Sequence, residues 1–115
     1  MTQPANRPIE VEVLSFEGCP NTESAHERVE RLVAELGIEA EVRGVDVPDP
    51  ETAERLRFLG SPTVHVNGRD VEPGADERGE FSLSCRVYRT DAGASGEPRE
   101  QWIRDALTRA VTTSA

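Results

Sequence analysis

Apolar and acidic residues alternate at the start of the chain, and this alternation predicts a β-strand. The alternating run consists of Ile9, Glu10, Val11, Glu12 and Val13. A period of two is expected of a strand with one buried face. Leu14 and Phe16 follow, which indicates that the strand becomes more buried towards its end. Residues 1–8 are polar and contain two prolines, so we expect a flexible tail before a single domain over residues 9–112.

The next stretch changes to a helical period. Its apolar residues recur every three or four positions and are Ala25, Val29, Leu32, Val33 and Leu36. This spacing predicts an amphipathic helix. Pro20 suits the first helical position, which makes Cys19 the expected N-cap residue, and Gly37 supplies a stop signal.

A second strand and a second helix follow. Residues 38–47 predict a strand with one exposed face or edge, because acidic residues are interleaved with apolar ones. Asp49 is expected to cap a helix that begins at Pro50 and ends at Gly60. The apolar stripe of this helix consists of Ala53, Leu56 and Leu59.

A β-hairpin is predicted where Asn67 and Gly68 stand between two short apolar runs. This dipeptide is the strongest short-range hairpin signal, because both positions of a tight two-residue turn need positive φ angles. The pairs that such a turn predicts are Val66 with Arg69 and Val64 with Val71.

An insertion of about residues 73–97 separates this hairpin from the last helix and is too long for a simple connection. Its centre predicts an extra strand that has on one side Phe81, Leu83, Cys85 and Val87. Arg86 falls on the other side, where we expect solvation or a surface ion pair. The last helix opens at Pro98 and has an apolar stripe of Trp102, Ile103, Ala106, Leu107 and Ala110. The predicted order is β-α-β-α-β-β, insertion, α, which is an α/β fold.

Charge and composition narrow the range of partners. The 115 residues include 22 acidic and 13 basic side chains, for a formal net charge of −9. This balance argues against nucleic-acid and anionic-membrane partners. No run approaches the roughly 20 apolar residues of a membrane helix, and the first residues lack the apolar core of a signal peptide. We therefore expect a cytoplasmic protein with reduced thiols.

The two cysteines are too few for a disulfide framework. No CxxC or HxxxH spacing is present, so we expect no metal site and no cofactor. Cys19 nevertheless occupies a position where a strand gives way to a helix. Unpaired N–H groups and the helix dipole favour a thiolate there, so Cys19 is the candidate nucleophile. The alternative is that Cys19 is only a small apolar residue at a strand end.

The order of elements and two short motifs resemble the thioredoxin-like superfamily in its minimal, glutaredoxin-like form. Cys19-Pro20-Asn21-Thr22 stands where this family keeps a C-P-x-C motif, and Gly60-Ser61-Pro62-Thr63-Val64 is similar to its cis-proline segment. The resemblance implies a four-stranded mixed sheet with helices on both faces, a cis bond before Pro62, and Pro62 close to Cys19. It also implies a substrate groove formed by Pro20, Ser61, Pro62 and Thr63, with substrate chains pairing to the neighbouring backbone.

The sequence departs from the family pattern at Thr22, which replaces the second cysteine. A CxxC pair uses its second thiol to resolve a mixed disulfide, which a hydroxyl does not do. The Thr22 hydroxyl can instead donate a hydrogen bond to the Cys19 thiolate. Monothiol members of the family use glutathione as the second thiol, so the resemblance leaves glutathione open as a co-substrate. The glycine-glycine-aspartate segment with which glutaredoxins hold glutathione has no counterpart after Val71.

Three interpretations of Cys85 stay open at this point. Cys85 is a core cysteine, or it is the resolving thiol in place of the cysteine that Thr22 replaces, or it is the second ligand of a thiophilic metal ion. His65 is a weaker candidate, because a residue three positions beyond Pro62, on a strand leading away, is too distant to serve Cys19 as a base.

Three functions follow as hypotheses. The first is a thiol–disulfide redox protein whose partners are protein or small-molecule disulfides and thiols. The second is a mercury- or copper-handling protein that uses Cys19 and Cys85, because the chain also resembles small bacterial thioredoxin-like proteins sometimes labelled alkylmercury lyase. The third is a thioredoxin-like adaptor without chemistry.

Overall fold

The computed structural model describes residues 8–90 and 93–114, so predictions for residues 1–7 lie outside the described part. The strands are β1 (Ile9–Ser15), β2 (Ala40–Asp46), β3 (Thr63–Val66), β4 (Arg69–Asp70), β5 (Tyr88–Thr90) and β6 (Gly93–Ser95). The helices are α1 (Thr22–Leu36), α2 (Pro50–Arg55) and α3 (Glu100–Ser114). Among these helices, none is long and apolar enough to cross a membrane.

A four-stranded mixed sheet forms the centre of the molecule, in the order β2-β1-β3-β4. β1 runs parallel to β2 and antiparallel to β3, and β3 forms an antiparallel pair with β4. The prediction of an α/β fold with a four-stranded mixed sheet is therefore confirmed. β5 and β6 form a separate two-stranded pair.

The alternation along β1 divides the apolar core into two clusters. Val11 and Val13 are buried on one face, where they pack with residues of α1 and α3. Leu14 points to the opposite face and packs with Val47, Ala53 and Phe58 around α2. Helices consequently cover both faces of the sheet, which is why β1 is buried along most of its length.

The ends of the helices follow the predicted signals in part. Gly37 ends α1 in the left-handed conformation, with φ of 64°. The Asp49 side chain caps α2 by accepting a hydrogen bond from the Thr52 N–H at 2.8 Å. The prediction that α2 continues to Gly60 is wrong: it ends at Arg55, because Arg57 adopts a φ of +59° that breaks the helical path.

The predicted hairpin is confirmed. Asn67 and Gly68 both have positive φ, 50° and 83°, and Val66 pairs with Arg69 across the turn. Regular pairing stops after Asp70, but the next predicted contact is present, since the Val71 N–H donates to the Val64 carbonyl at 3.1 Å.

The insertion differs from its prediction. Residues 81–87 form no regular strand, and the two sides of the segment are reversed. Arg86 and Tyr88 are buried, whereas Val87 is 60% exposed and Cys85 is also exposed. The expectation of a solvated Arg86 is wrong, and the exposure of Cys85 excludes one of its three open interpretations, that of a core cysteine. The physical reason is the set of acidic partners that Arg86 finds inside the protein.

Arg86 makes a buried ion pair with a carboxylate that follows the hairpin turn. Its two terminal nitrogens donate to both oxygens of Asp70, at 2.8 and 3.2 Å, and one of them donates to Glu72 at 2.6 Å. It also donates to the Thr63 hydroxyl at 2.9 Å, and its guanidinium lies 4.5 Å from the ring centre of Tyr88. A bidentate contact of this kind is the strong form of the arginine–carboxylate interaction.

We predict that Arg86→Met lowers the free energy of unfolding by about 3–5 kcal/mol, because removal of Arg86 leaves the buried Asp70 carboxylate without its ion pair. The matched control is Arg69→Met. Arg69 is highly exposed and pairs with Asp76 at 3.4 Å, so the control is expected to cost less than about 1 kcal/mol. Urea unfolding of both variants checks this, and equal stability of the two would contradict it.

Candidate active site

Cys19 lies in the connection between β1 and α1. The Cys19 N–H donates to the Phe16 carbonyl at 3.3 Å, and Gly18 has φ of 92°, which an L side chain rarely adopts. The prediction that Cys19 is the N-cap is wrong. Asn21 is the N-cap, since its carbonyl accepts the first helical bond from Ala25, and Cys19 lies two residues earlier.

The hydroxyls of Ser61 and Thr22 lie near the Cys19 sulfur. Both hydroxyl oxygens are buried, and within the described residues neither makes a hydrogen bond. Partial burial raises the pKa of the Cys19 thiol, but the Ser61 hydroxyl, then the Thr22 hydroxyl, outweighs this effect because each can donate to a thiolate. The backbone N–H groups of Asn21 and Thr22 contribute in the same direction. The pKa of Cys19 therefore lies below its usual value, which favours the thiolate.

The segment before β3 brings Ser61 to this position. The Ser61–Pro62 peptide bond is cis, as the resemblance implied. The Pro62 carbonyl accepts a hydrogen bond from the Tyr88 hydroxyl at 2.5 Å, and Thr63 donates to the Gly60 carbonyl at 2.6 Å. The Thr63 hydroxyl is thus committed within the protein rather than directed at a substrate. Pro20, by contrast, is exposed beside Cys19.

Cys85 is placed next to Ser61 by main-chain pairing. The Ser61 N–H donates to the Ser84 carbonyl at 2.8 Å, and the Arg86 N–H donates to the Ser61 carbonyl at 2.9 Å. Ser61 and Cys85 are therefore partners in a parallel β-bridge. Partners in register project towards the same face of a sheet, so Cys85 and the Ser61 side chain share one side. Cys19 and Cys85 are both free thiols.

His65 is buried on β3, where it pairs with Glu12 on one side and Asp70 on the other. Burial lowers the pKa of His65 below its usual value, although nearby carboxylates oppose the shift. Its neighbours are these carboxylates of the sheet, and the groups that act on Cys19 do not include it. The arrangement agrees with the interpretation that His65 is not the base for Cys19.

Within residues 8–90 and 93–114, no three histidine, cysteine or acidic side chains converge in a way that would hold a metal ion. Comparisons of the chain with protein-family models, with curated proteins and with solved structures gave no match.

The predicted site residues Cys19, Thr22 and Ser61 lie together in the structure, but two side-chain arrangements were not predicted. Ser61 was expected to contact substrate through its backbone, whereas its hydroxyl faces Cys19 and its backbone is bonded to residues 84–86. Arg86 was expected at the surface. No local signal in the sequence indicates this buried ion pair, because Asp70 and Glu72 stand 16 and 14 residues before Arg86.

We predict that Ser61→Ala raises the pKa of Cys19, because the thiolate loses its strongest hydrogen-bond donor. The pH profile of iodoacetamide alkylation then moves to higher pH, and the rate at neutral pH falls. Ser84→Ala is the control, since Ser84 Oγ shares a hydrogen bond with Ser82 Oγ at 2.9 Å and is not among the groups that shift the pKa of Cys19. An unchanged profile in Ser61→Ala would show that this hydroxyl does not support the thiolate.

A second prediction concerns the buried His65. Its pKa is lower in the folded protein than in the unfolded chain, so the unfolded chain binds the extra proton first. Neutral His65 therefore makes its full contribution to the free energy of unfolding above the pKa of the unfolded chain, about 6.5. That contribution is lost as the pH falls through the lower pKa of the folded protein. Urea unfolding between neutral and mildly acidic pH should show this loss, and His65→Gln should reduce it. His26→Gln on α1 is the control, and equal slopes in both variants would refute the assignment.

Proposed function

We propose that this protein carries out thiol–disulfide exchange with Cys19 as the nucleophile. The observation that carries the proposal is the pair of buried hydroxyls, Ser61 and Thr22, which lie near the Cys19 sulfur and make no hydrogen bond within the described residues. A buried polar group without a partner is costly. A thiolate accepts hydrogen bonds from both hydroxyls more strongly than a neutral thiol does, so the site favours the reactive form.

The arrangement of elements supports a thioredoxin-like interpretation of the fold. The sheet order β2-β1-β3-β4, with β1 parallel to β2 and antiparallel to β3, agrees with what that resemblance implies. Cys19 follows β1, and Ser61 and Pro62 precede β3, which brings the two motifs to the same edge of the sheet. This interpretation rests on topology and on the two motifs together.

The reaction has two steps. The Cys19 thiolate attacks a disulfide R–S–S–R′, forms the mixed disulfide Cys19–S–S–R and releases R′S⁻. The Cys85 thiolate then attacks the Cys19 sulfur, forms a Cys19–Cys85 disulfide and releases RS⁻. Cys85 is proposed for this role because it is the register partner of Ser61, whose hydroxyl is directed at Cys19. An external dithiol returns both cysteines to the reduced state.

The position of Cys85 beside Ser61 also supports a second candidate function, the binding of a soft metal ion by the Cys19 and Cys85 thiolates. Titration with mercury(II) distinguishes the two functions. Binding by both thiolates requires Cys19 and Cys85 equally, whereas redox chemistry depends mainly on Cys19. Loss of neither activity in Cys19→Ser would favour an adaptor without chemistry.

We predict that Cys85→Ser, treated with a small disulfide, accumulates the Cys19 mixed disulfide. The wild-type protein should instead lose two hydrogen atoms and retain no adduct. Intact-protein mass spectrometry separates these products, and Cys19→Ser should give neither. If wild type and Cys85→Ser accumulate the same adduct, Cys85 is not the resolving thiol, although exchange at Cys19 stands.

A further inference from the structure

We propose that Cys19 acts on small, positively charged disulfides and does not bind extended peptides by pairing with Ser61. This inference rests on the proposed exchange function and specifies its substrate. It follows from two independent features: the occupant of the edge beside Ser61, and the charge of the clefts that flank Cys19.

The edge beside Ser61 is filled by the chain itself. A substrate peptide that adds as a strand needs free N–H and C=O groups on the receiving backbone. Both groups of Ser61 are already bonded, at 2.8 Å to the Ser84 carbonyl and at 2.9 Å from the Arg86 N–H. The 82–88 segment therefore occupies the position that a peptide substrate would take.

Close packing and ion pairing hold the 82–88 segment in place. A Cβ added at Gly60 would lie 2.9 Å from the Arg86 Cβ and 3.0 Å from the Ser84 carbonyl oxygen, so only glycine permits this approach. The Arg86 side chain is buried against Asp70 and Glu72. Displacement of the 82–88 segment would break this ion pair. An incoming peptide therefore does not readily displace the segment.

The open surfaces on either side of Cys19 are acidic. One cleft of about 620 Å³ is lined in part by Glu17 and Asp46. A second cleft, of about 700 Å³, runs along α1 and includes Glu23, Glu27 and Glu30. Among the described residues, no arginine lines either cleft. A field of this sign concentrates cations and repels anions such as glutathione disulfide.

A charge series tests the proposal in the intact wild-type protein. The probes are cystamine, neutral bis(2-hydroxyethyl) disulfide and anionic 3,3′-dithiodipropionate. Each rate is divided by the rate of the same probe with the thiolate of 3-mercapto-1,2-propanediol, a neutral thiol that differs from every probe, which removes intrinsic differences in reactivity. We expect cystamine to exceed dithiodipropionate by about tenfold or more at low salt, and the difference to shrink at about 1 M salt because exposed charges are screened.

Charge-neutralising variants locate the effect. The double variant Glu17→Gln/Glu23→Gln should reduce the cationic preference, because both residues line the clefts. Glu51→Gln/Glu54→Gln on α2 changes the net charge equally and should retain it. Equal preference in the two double variants, or faster reaction with the anionic probe in wild type, would overturn the proposal.

A peptide probe tests the filled edge. A neutral, extended ten-residue peptide carries 2-mercaptoethanol in a mixed disulfide with its one cysteine, and its normalised rate is compared with that of bis(2-hydroxyethyl) disulfide. In the wild-type protein, the normalised rate with the peptide should not exceed the normalised rate with bis(2-hydroxyethyl) disulfide. Two freed main-chain hydrogen bonds are worth about a factor of ten, so a tenfold gain in wild type would overturn the proposal.

The variant Gly60→Ala provides a further test of the filled edge, because its Cβ forces residues 84–86 away from Ser61. A folded Gly60→Ala protein should gain rate with the peptide, and absence of that gain would count against the proposal. The wild-type comparison decides if this variant does not fold. If no probe reacts at Cys19 at all, the exchange function itself fails, which is a different result from a wrong preference among probes.

Discussion

The buried ion pair between Arg86 and Asp70 is the interaction on which the site depends. It joins an irregular part of the insertion to the strand that follows the hairpin turn, and its 2.8 Å contact is almost completely removed from solvent. Because Arg86 is fixed, its backbone N–H remains bonded to Ser61. The ion pair thus helps to hold the 82–88 segment beside Ser61.

Ser61 connects the structural and chemical parts of the molecule. Its backbone is bonded to the insertion, and its fully buried side chain is directed at the Cys19 sulfur. With Thr22 it supplies the hydroxyl donors that a CxxT sequence needs if it is to stabilise a thiolate without a second local cysteine. The neighbouring Glu17 and Glu23 are exposed, so solvent weakens their effect on the sulfur.

Local signals were sufficient for most of the fold. The alternation in β1, the apolar period of α1 and the Asn67-Gly68 turn are properties of neighbouring residues, and the structure agrees with each of them. The insertion was not predictable in the same way. The alternating pattern predicted an exposed Arg86, because such a pattern reflects only the polarity of neighbouring residues. The observed orientation depends on Asp70 and Glu72, which are distant in the sequence and contact Arg86 in the folded protein. The position of the Ser61 hydroxyl near Cys19 likewise depends on contacts between residues that are distant in the sequence.

If the fold supports a reactive cysteine, it must lower the pKa of the Cys19 thiol. The most direct measurement is the pH titration of thiolate ultraviolet absorbance in Cys85→Ser protein, which retains Cys19 alone among the two cysteines. We expect a midpoint below that of an ordinary cysteine, and a return to the ordinary value when the protein is unfolded in urea. A midpoint in the folded protein equal to or above the unfolded value would contradict it.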